Sequence, residues 1–342
     1  MVKSELHADI DPQLLGEMRL AFAAISHRDS PVLRTEIIQD EELSDRFGQG
    51  ITVVTELHQP GKSFKLRGAY NFFKSLTYAQ LDKEVVTVSA GNHAQGVALC
   101  SKLFEVKSHI FMPNNTPIHK KARVTELGGE FIEIHSEGSE FDESLKSAQS
   151  YSEEHGAAFS SPFDDIKVIA GQATLGTEIY QDVPNIGAVF CPVGGMGLMA
   201  GISAAIKDKD PTIKIIGVEP EGAPSLQYAR EQGRPVPLQG AFSTFVDGAA
   251  VREVGKLPFE LTNHLVDDVI SVSDRDLREV TTELWGIDKS WSWLVRTELA
   301  GALAIAGLRR YKPLDLEDKF AVCLITGGNL SQERFDEEVR VQ

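Results

Sequence analysis

The feature that most constrains this chain is an alternation of short apolar runs with helical segments. "EVVTV" (84–88), "KSHIFM" (107–112), "EFIEI" (130–134), "AVFCPV" (188–193), "KIIGVE" (214–219) and "FAVCLI" (320–325) read as strands, and helical periodicity fills the stretches between them. A strand that returns through a helix lies parallel to its neighbour, so the pattern predicts an α/β fold with mainly parallel sheet. Local signals agree. Pro117 opens a helix that Gly128 closes, and Thr77 with Gln80 forms a T-x-x-Q cap for another. No internal repeat, long linker or low-complexity tract interrupts the alternation. Two open-sheet α/β lobes are expected, with an active site in the cleft between them.

Composition excludes several function classes. The 342 residues are 42% hydrophobic, enough for a substantial core. With 34 Lys and Arg against 50 Asp and Glu, the net charge of −16 works against nucleic acid or an anionic membrane as partner. Cys100, Cys191 and Cys323 lie in separate apolar segments without C-x-x-C spacing, which argues against a disulfide framework or a cysteine zinc site and fits a cytoplasmic setting. The N-terminal "MVKSELHADI" lacks the apolar core of a signal peptide. Residues 183–206 carry no formal charge, yet Pro184, Pro192 and five glycines would break a membrane helix there. A buried strand, turn and helix is expected instead.

Three polar, glycine-bearing turns follow expected strands: "SAGNHAQG" (89–96), "VGGMGLMAG" (193–201) and "TGGN" (326–329). The middle turn precedes a helix, so its backbone N–H groups can cradle a phosphate, or it is simply a tight turn. Gly195, Gly197 and Ala200 also spell G-x-G-x-x-A, with Glu219 about 20 residues further on, which keeps an NAD-dependent dehydrogenase open as an alternative. In "KSFKLRGAYNFF" (62–73), Leu66, Ala69, Tyr70 and Phe73 mark one helical face, so Lys65 sits near a helix N-terminus. The macrodipole there disfavours a cation, as does the neighbouring Phe64; both encourage a neutral, reactive amine.

"SFKLRGAYN", "SAGNHAQG", "PVGGMGLMAG" and "TGGN", in this order, resemble the fold-type II pyridoxal-phosphate enzymes of the tryptophan-synthase β group. "FMPNNTPIHKKARVTELGGEFIEI", "PFDDIKVIAGQATLGTEI", "IGVEPEGAPSL" and "FVDGAAVREVG" are similar to the threonine dehydratase (threonine ammonia-lyase) subgroup, over about residues 30–330. The resemblance implies pyridoxal 5'-phosphate as cofactor, a large cofactor-binding domain (1–54 with 161–342) and a small domain (55–160). It implies Lys65 as the catalytic Schiff-base lysine and Phe64 packed on the pyridine ring. Asn92 would bond the ring hydroxyl, and Gly194, Gly195, Met196, Gly197 and Leu198 would hold the phosphate. Thr326 would face the pyridine nitrogen, and the Ser89, Ala90, Gly91, Asn92, His93 and Ala94 backbone would take the substrate carboxylate. The implied reaction is deamination of L-threonine to 2-oxobutanoate and ammonia, and of L-serine to pyruvate, by a homodimer or homotetramer. No metal is expected.

The departures from that pattern concern substrate and control. Met196 replaces a glycine of G-G-G-G-L and would be strained if the position requires positive φ. Thr326 replaces serine and keeps the hydroxyl. In "SWSWLVRTELAGA" Leu299 replaces the proline of E-P-A-G-A, with Trp291 and Trp293 nearby, so another hydroxy or activated amino acid, eliminated or replaced at Cβ, is an alternative substrate. About thirteen residues follow "TGGN", so no C-terminal regulatory domain is expected. Ala90 stands where serine racemases place a serine, and Ser225 stands where they place a carboxylate beside the residues matching Glu219 and Ala223, so racemisation and a tight cation site are not expected. His93 is expected to be a neutral packing or hydrogen-bonding group. A protein that keeps the cofactor site without turnover is a further alternative.

Overall fold

A computed structural model describes residues 8–39, 41–286, 295–311 and 316–340. In chain order the strands are β1 (Glu36–Gln39), β2 (Ile51–Thr55), β3 (Val85–Val88), β4 (Ser108–Met112), β5 (Ile132–Ser136), β6 (Ala158–Ser160), β7 (Ile186–Pro192), β8 (Lys214–Pro220), β9 (Asp268–Val272) and β10 (Phe320–Ile325). The helices are α1 (Pro12–Ile25), α2 (Glu41–Phe47), α3 (Lys65–Ser75), α4 (Tyr78–Leu81), α5 (Asn92–Phe104), α6 (Ile118–Gly128), α7 (Phe141–His155), α8 (Ile166–Asp182), α9 (Gly197–Lys209), α10 (Ser225–Gln232), α11 (Lys256–Thr262), α12 (Asp274–Leu284) and α13 (Leu299–Arg310).

These strands form two sheets, ordered β1-β2-β10-β7-β8-β9 and β5-β4-β3-β6. Every pairing is parallel except β1 with β2. In the larger sheet the apolar strands are buried on both faces. Ala321, Cys323 and Ile325 of β10 pack towards α13, while Val322 and Leu324 pack with residues of α8 and α9. In the smaller sheet, Val85, Ile110 and Met112 face α3, α5 and α6, while Val86, Val88 and Phe111 face α7. A two-residue side-chain period on continuous apolar strands therefore produces cores on both sides, as helix-covered parallel sheets require.

The charge-free stretch 183–206 is β7, a turn and the start of α9. Among the described residues no helix is long and apolar enough to cross a membrane. Thr77 and Gln80 form a reciprocal capping box on α4. The strand expected at 130–134 starts later, at Ile132, because Gly129–Phe131 winds into a 3-10 turn first. Trp291 and Trp293 lie outside the described residues.

Candidate active site

Strands β7 and β10 of the larger sheet lead into turns that line one cleft. The turn after β10 is stitched to the segment before α3: Phe64 N–H donates to Thr326 O at 3.1 Å and Gly328 N–H to Lys62 O at 3.0 Å. Lys65 is the first residue of α3, and its Nζ donates to Pro162 O at 2.7 Å and stands 5.1 Å from the Phe64 ring centroid. Burial drives its pKa down to about 8, against the pull of Glu298. The amine is thus far easier to neutralise than an ordinary lysine.

Arg67, two residues on, anchors this helix. Its guanidinium is fully buried and donates to both oxygens of Glu56 (2.8 and 2.9 Å) and of Glu178 (both 2.9 Å). Burial opposes its charge, but the two carboxylates more than restore it and raise its pKa. The triad ties α3 to the end of β2 and to α8.

Phe64, Lys65, the turn 194–198 and Thr326 line one cleft. That turn runs into α9, whose first N–H groups face outward by the geometry of any helix start. Gly194 lies against Ala249, and Gly195 against the Phe163 ring; a Cβ on Gly195 would come within 2.3 Å of that ring. Gly197 is similarly close to the Phe163 backbone. Met196 has φ 73° and ψ −7°, the left-handed region, so this position does carry the strain that its substitution for glycine raised. Its side chain is buried beneath the turn, in the core shared with α8 and α9.

Asn92 starts α5. Its Nδ2 donates to Glu298 Oε1 at 2.6 Å, and its Oδ1 accepts from Asn329 Nδ2 at 2.8 Å. Glu298, just before α13, is a site residue that its sequence neighbours do not announce. Its pKa is pushed up to about 7 by burial and by Asp247, against the hydrogen bonds from Asn92 and the Asn329 N–H. The signal that could have found it was the glutamate of E-P-A-G-A itself; only folding brings it to Asn92. Leu299, the substitution beside it, is buried among residues of the larger sheet and does not line the cleft.

Ser89, Ala90 and Gly91 form the turn between β3 and α5, with Ser89 Oγ accepting from Gly91 N–H at 3.1 Å. Ala94 packs its side chain into the core, so only its backbone can serve a ligand. His93 is turned away, its Nε2 3.3 Å from Ser160 O; burial and then Lys65 drive its pKa down to about 3, leaving it neutral.

The dinucleotide reading fails at Glu219. Its carboxylate is buried and accepts from the N–H groups of Leu226 at 2.6 Å and Gln227 at 2.9 Å, capping α10, so it is not held out for a ribose. Burial also raises its pKa to about 7. A half-buried, easily neutralised lysine opposite a small-residue turn on a helix N-terminus fits an aldehyde cofactor with a phosphate tail. The fold and this site define a pyridoxal-phosphate-dependent enzyme.

Comparison with known proteins places the chain more narrowly. Residues 29–327 match the family described as pyridoxal-phosphate dependent enzyme, and the chain belongs to that family. It is 37% identical over 307 residues to the biosynthetic L-threonine dehydratase of Halalkalibacterium halodurans, covering 90% of this chain and 72% of that one. The processed form of threonine deaminase isoform 2 from Solanum lycopersicum superposes with a TM-score of 0.85 at 36% identity, over 96% of this chain and 93% of the other. Maize serine racemase gives 0.84 at 29% identity, over 94% and 95%.

Proposed function

We propose that this enzyme deaminates L-threonine to 2-oxobutanoate and ammonium, with L-serine, giving pyruvate, as a second substrate. The observation that carries the reading is Lys65: a half-buried lysine whose desolvated amine has a pKa near 8, in the cleft lined by Phe64, the turn 194–198 and Thr326. Similarity to threonine dehydratases over 90% of the chain supports the substrate class.

Bound pyridoxal phosphate supplies an aldehyde for the amine and an electron-poor ring that acidifies the neighbouring Cα–H. The residues of this chain do the rest. Gly194, Gly195, Met196, Gly197 and Leu198 would hold the phosphate on the α9 N-terminus, with Phe64 and Thr326 closing on the ring. Ser89 to Ala94 would offer backbone N–H groups to the substrate carboxylate. Lys65, neutral, accepts the Cα proton, the β-hydroxyl takes up a proton and leaves as water, and water then replaces the nitrogen, which departs as ammonium. Overall, threonine loses the elements of ammonia. A hydroxyl at residue 326, where a carboxylate could hold a protonated ring nitrogen, keeps the ring a moderate electron sink, which favours loss of a β-substituent.

The division that accompanies this reading assigns residues 55–160 to the small lobe and 1–54 with 161–342 to the large one. It is supported by the strands, since β3–β6 make one sheet and the others make the second. We place the protein in the cytoplasm as a homodimer or homotetramer; its three cysteines are buried and unpaired, in keeping with a reducing compartment.

The test is a visible spectrum of the purified, cofactor-loaded protein, followed by L-threonine with product detection. Wild type should show a cofactor band near the visible edge and release 2-oxobutanoate, and Lys65→Ala should lose both. Persistence of turnover in Lys65→Ala would refute the assignment of the base.

A further inference from the structure

A second cluster of chemistry-bearing side chains lies apart from the cleft, on the face of the smaller sheet that α7 covers. Strands β4 and β5 run parallel with His109 opposite Glu133 and Phe111 opposite His135. The two-residue period puts His109, Glu133 and His135 on one face. One donor atom from each lies within 4.8 Å of the others. His109 Nδ1 is 2.9 Å from His135 Nε2, and His135 Nε2 is 3.6 Å from Glu133 Oε1. Ligands on a tetrahedral ion with bonds of about 2.0–2.1 Å lie ~3.3 Å apart, so these donors need only small adjustments to share one ion.

We propose that His109, Glu133 and His135 bind a divalent transition-metal ion of the zinc class. The surroundings prepare the imidazoles for it. His109 Nε2 is 2.9 Å from Glu84 Oε2, so its N–H is directed to that carboxylate and its Nδ1 lone pair points at the cluster. This is the outer carboxylate that orients metal-ligating histidines. His135 Nε2 then donates to that lone pair in the metal-free state; on binding, its proton moves to Nδ1, which faces Glu137 Oε1 at 4.0 Å. Phe111 stacks on the His135 ring, centroids 4.5 Å apart and planes within 9°, fixing its orientation. His109 is buried, whereas Glu133 is about half exposed and opens the site to solvent. Lys107 Nζ holds Glu133 Oε2 at 2.8 Å and leaves Oε1 for the ion. Two nitrogens and one carboxylate suit zinc, nickel or cobalt and not calcium or magnesium, which take oxygen ligands. Three protein ligands leave a fourth position for water.

The experiment titrates zinc chloride into the cofactor-loaded full-length protein by calorimetry and counts retained metal after dialysis. Cobalt(II) is the spectroscopic probe of four-coordinate geometry. Wild type should retain one zinc per chain, and its cobalt form should show the intense visible bands of a tetrahedral site. His135→Gln and Glu133→Gln should lose stoichiometric retention, with far-UV dichroism and metal-free melting unchanged. Glu84→Gln, which removes no ligand, should weaken binding 10–100-fold. Failure of wild type to retain zinc, or retention equal in His135→Gln and Glu133→Gln, would overturn the proposal.

Discussion

Replacing Glu298 by glutamine isolates what its buried carboxyl costs the fold. An ordinary glutamate titrates at 4.5, and this one at about 7, with burial the largest cause. The folded state therefore keeps a proton that the unfolded chain has released, so stability falls as pH rises between 4.5 and 7. At ~1.4 kcal/mol per pKa unit, the penalty is about 3 kcal/mol at pH 8 and only about 1 kcal/mol at pH 5, where the unfolded carboxyl is itself partly protonated. Glutamine removes the penalty at both pH values. It keeps an acceptor for Asn92 Nδ2 but turns an amide towards the Asn329 N–H, which approaches Oε2 at 3.3 Å. That lost bond costs about 1–2 kcal/mol regardless of pH. The variant should thus be more stable than wild type by about 1–2 kcal/mol at pH 8, and equal or slightly less stable at pH 5. Urea unfolding of the cofactor-free proteins at the two pH values measures this, with melting as a cross-check: about 2 kcal/mol corresponds to ~3 °C for a chain of this length. A wild-type to variant difference that is the same at both pH values would refute the reasoning, because only the ionisation of residue 298 makes it change.

Substitutions at two further positions read other parts of the site. Arg67→Met strips the cation from between Glu56 and Glu178, both buried, and should cost about 3–5 kcal/mol or leave no folded protein; a melting temperature within a degree of wild type would dismiss the triad as an anchor. At residue 196 the order of small substitutions should invert. Met196→Ala gives up a buried side chain and keeps the left-handed backbone, whereas Met196→Gly gives up the same side chain and relieves about 1–2 kcal/mol of strain. The glycine variant should be the more stable of the two in chemical denaturation, and the opposite order would show that the turn is not strained.

What could be read from the residues followed from how locally each feature is encoded. Continuous apolar runs such as "AVFCPV" announce buried strands, and Pro117, Gly128 and the Thr77–Gln80 pair announce helix ends within a few residues. Four strands have no counterpart among those runs: β1 ("EIIQ"), β6 ("AFS") and β9 are short and only partly buried, whereas β2 ("ITVVT") is buried throughout but only five residues long. Lys65 was visible because two adjacent local features, a phenylalanine and a helix start, disfavour its charge. Glu298 was not, because its meaning depends on Asn92, 206 residues away, and on burial that only the finished fold supplies. His109 and His135 are 26 residues apart with no metal-ligand spacing between them; the parallel register of β4 and β5 alone makes them neighbours.

The cleft is held together by groups that would be more stable elsewhere, and this is how its chemistry arises. Burial lowers Lys65 to about 8 and raises Glu298 to about 7, so two groups that ordinarily titrate six pKa units apart are brought to within about one of each other. At pH 7.5 about a quarter of the Lys65 amines are neutral, against ~0.1% for a lysine at its ordinary value, a gain of roughly 200-fold in reactive base. Glu298 opposes that gain, since its negative charge favours the ammonium. Its elevated pKa limits the opposition, because part of the population is protonated near neutral pH. Asn92 connects the two sheets to this balance: it starts a helix behind the smaller sheet and donates to a carboxyl carried by the larger one. A change in the spacing of the lobes would therefore shift the Asn92–Glu298 bond and, through it, the charge that Lys65 experiences.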